Sequence, residues 1–340
     1  MSRYELPPVE DRALWDIWLS MYQLPATAVA DELGVFTRLA AEPATDLELA
    51  VRLALDARAT RVLLDLLVAI GLLAQRETRY ELTALGRTYL LPDSPYYWGP
   101  LLKTLGIVRP LHASLMRALR PRTGGPAVGR PAEAWARGDI DVEAAAHVSR
   151  VMHCHSLPAA VGVAMHGGFE HATRVLDVGG GSGCFAIAIA QRHPSIRCTV
   201  LELPAVCEVA RGYIADGGVT DRVDTHAADM FRDAWPAGYD AILMSNVFHD
   251  WSSDTNTDLA RRAFAALPSG GRVLLHEMLL ADGEPSPPST AAFSMLMLLT
   301  NEGRQYQLSE LRRVLGDAGF VDVSARPSYG RYSIITGTKA

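Results

Sequence analysis

The chain has 340 residues, 49% hydrophobic and 21% charged, which is enough to build one large or two ordinary globular domains and too apolar for a disordered chain. A net charge of −6 gives no broad attraction to nucleic acid or to an anionic membrane, so a small-molecule partner is the expectation. Cys154, Cys184, Cys198 and Cys207 form no CxxC pair, residues 1–10 lack the regions of a signal peptide, and the apolar runs at 63–74 and 291–299 are too short or too interrupted to span a bilayer, which together point to a reducing cytoplasm.

In chain order, residues 12–24 and 26–39 carry apolar residues at helical spacing, with Trp15, Trp18, Leu19 and Tyr22 as an aromatic-apolar stripe. Such a stripe is either ordinary core or a face covered by a second subunit. Segments 46–52 and 59–70 predict two more helices, and 72–75 and 80–82 flank the polar turn 76–79 as a hairpin. Two helices and a two-stranded wing form the winged-helix pattern. Its would-be recognition helix, 59–70, offers only Arg61 as a base, with Asp65 one turn later, which argues for a structural or dimer-forming module over DNA reading. One helix is predicted over 101–119, a Pro- and Gly-rich connection over 121–131, and a long helix over 143–165.

From there the chain alternates regularly. Strands are predicted at 175–178, 198–202, 223–226, 240–244, 272–277, 320–324 and 333–337, with helices between most of them, the signature of a doubly wound α/β sheet whose ligand lies at the strands' carboxyl ends near the crossover. Residues 174–183, Arg-Val-Leu-Asp-Val-Gly-Gly-Gly-Ser-Gly, read as strand and tight turn, followed by a helix over 184–191. Gly179, Gly181 and Gly183 give GxGxG, whereas the dinucleotide fingerprint needs a glycine where Cys184 stands; the absence of Gly-Lys-Ser/Thr disfavours a triphosphate loop. Glu202, ending the second strand, is spaced to accept from both ribose hydroxyls, although a solvated strand-end carboxylate would look the same. Asp229-Met230-Phe231 could serve an adenine amino group and cover its ring, or could cap a helix and enter the core.

Val-Leu-Asp-Val-Gly-Gly-Gly-Ser-Gly, Ala-Asp-Met-Phe and His249-Asp250-Trp251, in this order after a winged-helix half, resemble the S-adenosylmethionine-dependent O-methyltransferases typified by caffeate, hydroxyindole and bacterial polyketide-tailoring enzymes. The resemblance covers nearly the whole chain. It implies a Rossmann-like seven-stranded methyltransferase domain, residues 151–340, preceded by a mainly helical winged-helix dimerisation domain, residues 1–150, in a homodimer. It also implies His249 as the general base, steadied by Glu277. A second family glutamate is expected after Glu302-Gly303-Arg304, where Gln305 stands; an amide can hold a ring but cannot stabilise an imidazolium by charge.

By the same resemblance, Ser156, Asp177, Gly179, Gly181, Glu202, Leu203, Asp229, Met230, Phe231, Ser245, Asn246 and Trp251 serve the cofactor. Met152, His153, Phe248, Asp250, Phe293, Met297 and Asn301 are substrate candidates, positions equally suited to plain core. Ala228 replaces the family's glycine and Glu202 its more common aspartate, without loss of a needed group. His153 and His155 could suggest a metal, but His276-Glu277-Met278-Leu279-Leu280 fails HExxH, and none is expected. A phenol of pKa about 10 needs a base, and a neutral imidazole suits. The chain is therefore expected to methylate a hydroxyl of a small aromatic metabolite, the alternatives being carbon methylation beside a ketone, where a metal can stabilise an enolate, and a winged-helix regulator that has kept the fold.

Overall fold

The computed structural model describes residues 4–106, 110–120 and 140–340. They fall into two compact units, one drawn from Met1–Asp11, Ala132–Leu279 and Tyr306–Ala340, the other from Arg12–Pro131 and Leu280–Gln305. The expected single boundary at residue 150 is replaced by an exchange of segments. The long helix that opens the sheet-bearing unit, Val142–His166, runs through position 150, and the segment after the fifth parallel strand joins the helical unit.

The helical unit contains α1 (Arg12–Leu19), α2 (Gln23–Glu32), α3 (Val35–Ala41), α4 (Asp46–Leu53), α5 (Ala57–Ala69), a hairpin of β1 (Leu73–Arg76) and β2 (Arg79–Leu82), then α6 (Ala84–Tyr89), α7 (Gly99–Gly106) and α8 (Pro110–Leu119). The first two expected helices are thus three. A 3-10 turn at Ser20–Tyr22 ends the first, and Gly34, at φ 75°, turns the chain between the second and third. The helix expected over 101–119 is described on either side of residues 107–109, as α7 and α8; residues 107–109 and the expected connection 121–131 lie outside the described residues.

Local chemistry explains the winged module. Thr45 and Glu48 form a reciprocal capping box on α4, and Asp56 accepts from the Ala59 N–H to start α5. Tyr80 of the wing is buried and donates to Asp65. Arg61 lies 3.4 Å from Asp65 and 3.9 Å from Asp46, and α5 packs against the inserted helix α13, defined below. The face a DNA reader would present is covered within its own unit.

The other unit opens with α9 (Val142–His166), capped by Asp141 and carrying Pro158 inside it. Then come β3 (Arg174–Val178), α10 (Cys184–Arg192), β4 (Arg197–Glu202), α11 (Pro204–Asp216), β5 (Val223–Ala227), β6 (Ala241–Ser245), α12 (Ser253–Ala266) and β7 (Arg272–Met278). The helix α13 (Pro288–Thr300) follows in the helical unit. The chain then returns with α14 (Leu308–Asp317), β8 (Phe320–Pro327) and β9 (Tyr332–Lys339).

All seven expected strands lie in one sheet of order β5-β4-β3-β6-β7-β9-β8, parallel except for β9, which runs antiparallel to both of its neighbours, β7 and β8. The central strands are buried along nearly their whole length, as a sheet covered by helices on both faces requires. On one face Ile242, Met244, Val273 and Leu275 pack with Leu259 and Ala263 of α12 and Leu311, Val314 and Leu315 of α14. The chain leaves β3 toward β4 on one side and later returns to place β6 on the other. The loops after β3 and β6 therefore diverge, which opens a crevice at the carboxyl ends.

Candidate active site

The loop after β3 owes its shape to glycine. Gly179, Gly181 and Gly183 have φ of 68°, 55° and 77°, the left-handed region that side chains disfavour. A Cβ on Gly180 would lie 2.6 Å from Oδ2 of Asp177, whereas one on Gly181 would meet no protein atom. The Gly181 N–H donates to Oε1 of Glu202 (3.2 Å) and the Leu203 N–H to Oε2 (2.9 Å), so the carboxylate ending β4 sits against the loop. Asp177 is wholly buried beside it and pushed up to about 7 by desolvation.

Across the crevice, Asp229 is engaged locally. Its Oδ1 accepts from the Phe231 N–H (2.8 Å), and its Oδ2 lies 3.1 Å from Arg232. This is the turn-forming role that the sequence left open, and it directs Met230 and Phe231 toward the core flank. Phe231 meets Trp251 edge-on at 4.7 Å. Ser156 is buried on α9, and Ser245 pairs with Nδ1 of His276 at 2.9 Å. Asn246 holds φ 55°, a left-handed conformation rare outside glycine, at the bend where β6 ends.

That bend leads into a 3-10 turn, Phe248–Asp250. Nδ1 of His249 lies 2.7 Å from Oε2 of Glu277, while Oε1 of the same carboxylate accepts from the backbone N–H groups of Phe248 (2.9 Å) and His249 (3.4 Å). Adjacent parallel strands β6 and β7 bring the two residues together. Nε2 lies 3.5 Å from Oδ1 of Asp250. Burial alone would push the imidazole pKa down, but Glu277 and then Asp250 outweigh it and raise the ring to about 9. His155, the other cationic candidate near this ring, is pushed down to about 4 by burial and then by the His249 charge.

Two braces of this turn escaped the sequence reading. Asn256 Nδ2 donates to the carbonyls of Phe248 (2.8 Å) and Trp251 (3.3 Å), and the Tyr306 hydroxyl donates to Trp251 O at 2.6 Å. Nothing in their spacing marks them, because they act on backbone brought near only by folding.

The substrate candidates separate. Phe248 is entirely within the hydrophobic core cluster that includes Met244 and Leu259, and it reaches Glu277 through its backbone N–H. His153 does not join the His249 cluster: its Nδ1 lies 2.8 Å from the Ser182 hydroxyl and its ring stacks on Tyr213 at 4.4 Å. Met152 is exposed. Phe293, Met297 and Asn301 belong to the helical unit, the first two buried and the third bonded through its backbone N–H to Met297 O. Gln305 ends a segment of that unit. It is fully buried, with its N–H on Ser294 and no side-chain hydrogen bond among the described residues. No group of three or more His, Cys, Asp or Glu among the described residues is arranged for a metal ion, and His153 and His155, two apart on one helix, project from opposite faces.

Residues 116–321 match the family model of the O-methyltransferase domain, and residues 16–92 that of the O-methyltransferase dimerisation domain. This chain belongs to the O-methyltransferase family. It is similar to a 3-hydroxy-5-methyl-1-naphthoate 3-O-methyltransferase of Streptomyces sahachiroi, 35% identical over 96% of this chain and 95% of that one. A solved O-methyltransferase family 2 protein of Planctomyces limnophilus, in complex with apigenin, matches with a TM-score of 0.89 at 28% identity over 100% of both chains. The structure of PigF with S-adenosylhomocysteine matches with a TM-score of 0.59 at 26% identity, over 97% of this chain and 100% of that one. The methyltransferase therefore uses S-adenosylmethionine, and residues 16–92, which include the winged module, form a dimerisation domain. The open space at Gly181, next to the Glu202 carboxylate, fits a nucleoside that must approach backbone closely. Among the described residues, no helix is long and apolar enough to cross a membrane.

Proposed function

We propose that this methyltransferase acts on a phenolic hydroxyl of a small aromatic metabolite, with His249 as the general base. The buried His249–Glu277 pair, 2.7 Å apart, carries the reading. With Glu277 at Nδ1, Nε2 is the nitrogen that takes the acceptor's proton in this reading, and Asp250, 3.5 Å from it, favours the imidazolium that results. The raised pKa of about 9 suits a phenol of about 10, because the proton then moves between groups of nearly equal basicity. S-adenosylmethionine supplies a methyl group activated by attachment to a positively charged sulfur. His249 removes the acceptor's proton, and Glu277 keeps the ring at one tautomer and angle.

Gly179, Gly181, Leu203 and Glu202 form the nucleoside cradle in this reading, with Met230, Phe231 and Trp251 as an apolar wall and Ser156, Asp229, Ser245 and Asn246 around it. The resemblance to a naphthoate methyltransferase supports a fused or simple phenol as acceptor. The chain is read as a homodimer. Leu14, Ile17, Trp18 and Met21 are all exposed at spacing i, i+3, i+4, i+7, one apolar face spanning α1 and the turn after it, in the dimerisation domain. All four cysteines are free thiols, which suits the cytoplasm.

Purified protein incubated with S-adenosylmethionine and a panel of naphthols and phenolic acids is expected to release S-adenosylhomocysteine and an O-methyl product, identified by mass spectrometry. His249→Ala should lower turnover by about 100-fold or more while binding S-adenosylhomocysteine normally. A variant with near-normal turnover removes His249 from the role of base.

A further inference from the structure

Within the loop Gly179–Gly183 only Ser182 carries a side chain beyond Cα. Three of the four glycines sit in the left-handed region, so the backbone alone would sample many shapes before closing on a ligand. Its backbone is tied by Gly179 N–H to Leu201 O (3.0 Å), Gly183 N–H to Gly180 O (2.9 Å), Ile187 N–H to Gly183 O (2.9 Å) and Gly181 N–H to Glu202 (3.2 Å). Ser182 is buried, and its hydroxyl meets Nδ1 of His153 at 2.8 Å.

His153 is itself held. It is on α9, its ring stacks on Tyr213 of α11 at 4.4 Å and 25°, and Tyr4 meets it edge-on at 6.0 Å. Tyr4 is fixed in turn by its N–H on Oε1 of Gln191, in the helix that follows the loop. Burial pushes the His153 pKa down, which keeps the ring neutral and able to exchange one directed hydrogen bond with the hydroxyl.

We propose that His153 is a positioning residue for the glycine loop: by clamping the Ser182 hydroxyl from a ring stacked on Tyr213, it holds the loop in its cofactor-ready shape. This rests on the reading of the loop as the cofactor cradle. His153 touches neither cofactor nor acceptor in this role; it acts through Ser182.

The test is a double-mutant cycle on the full chain, with S-adenosylhomocysteine binding measured by calorimetry and exchange of loop amides by mass spectrometry. His153→Ala and Ser182→Ala should each weaken binding by about 5- to 30-fold, the worth of one buried hydrogen bond to a preorganised site, and speed exchange in residues 179–185. The double variant should be no weaker than either single one. His153→Asn, whose amide reaches from the same branch point as Nδ1, should recover most of the affinity, and it keeps the test alive if His153→Ala fails to fold. Wild-type affinity in His153→Ala, fully additive losses in the double variant, or slow loop exchange in all variants overturns the proposal. Wild-type protein that does not bind S-adenosylhomocysteine at all overturns the cradle reading as well.

Discussion

His249 is caught between two carboxylates, the buried Glu277 at Nδ1 and the partly exposed Asp250 at Nε2. The consequence is a ring whose resting state is charged at neutral pH. Since its pKa is raised to about 9, kcat/KM of the proposed reaction should climb with pH along a limb near 9 and level off above it. Asp250→Asn removes one of the two groups that raise it, so the limb should move to lower pH by about one unit or less; an unmoved limb would mean that Asp250 does not act on the ring. The same shift has a stability consequence. Relative to an unfolded histidine near 6.5, the charged ring stabilises the fold fully below about pH 6.5, and that contribution is lost as pH rises through about 9. The wild-type melting temperature should therefore fall across this window more steeply than that of His249→Ala. Glu277 was legible as a strand-end carboxylate. That it also holds the backbone N–H groups of residues 248 and 249 was not, because hydrogen bonds to backbone leave no mark on residue type.

Among the elements, the glycine loop and α1 carry the clearest tests. Gly181 is left-handed yet faces open space, a combination that asparagine tolerates better than other side chains. Gly181→Asn is expected to leave the unliganded melting temperature within a few degrees of wild type. Added S-adenosylhomocysteine should no longer raise it, although at about 100 times its dissociation constant this ligand stabilises the wild type by about 2.7 kcal/mol. The helix stripe read from sequence, Trp15, Trp18, Leu19 and Tyr22, proves to be mixed: Trp15, Leu19 and Tyr22 are buried, and Trp15 lies 5.7 Å from Phe293 of α13. The exposed apolar face is offset from it, at Leu14, Ile17, Trp18 and Met21. Ile17→Arg is expected to shift the sedimenting species from dimer to monomer; an unchanged dimer would assign that face another use. The offset could not be read from residue type because Leu14, Ile17 and Met21 are as apolar as the buried positions beside them.

At the scale of the molecule, the central strands β3, β4, β6 and β7 were placed by their apolar runs because each is buried on both faces and carries no alternation to misread. The core behind them is continuous, so Leu275→Ala, at a fully buried position of β7, should lower the unfolding free energy by about 2–5 kcal/mol in urea titration. Boundaries were less legible. The division into units interleaves, since the segment 280–305 leaves the sheet-bearing unit to pack within the helical one, where α13 covers α5. Contacts so distant along the chain have no local signal.

The amino-acid sequence by itself determined the class of this protein: the spacing of glycines after a buried strand, a carboxylate at the next strand end and a His-Asp-Trp turn are set by local chemistry that any reader of residue types can follow. Tertiary structure alone decided which side chains act together. It sent Phe248 into the core and turned His153, a substrate candidate by sequence, toward Ser182, because helix α9 presents residues two apart to opposite sides and the sheet fixes what each side meets.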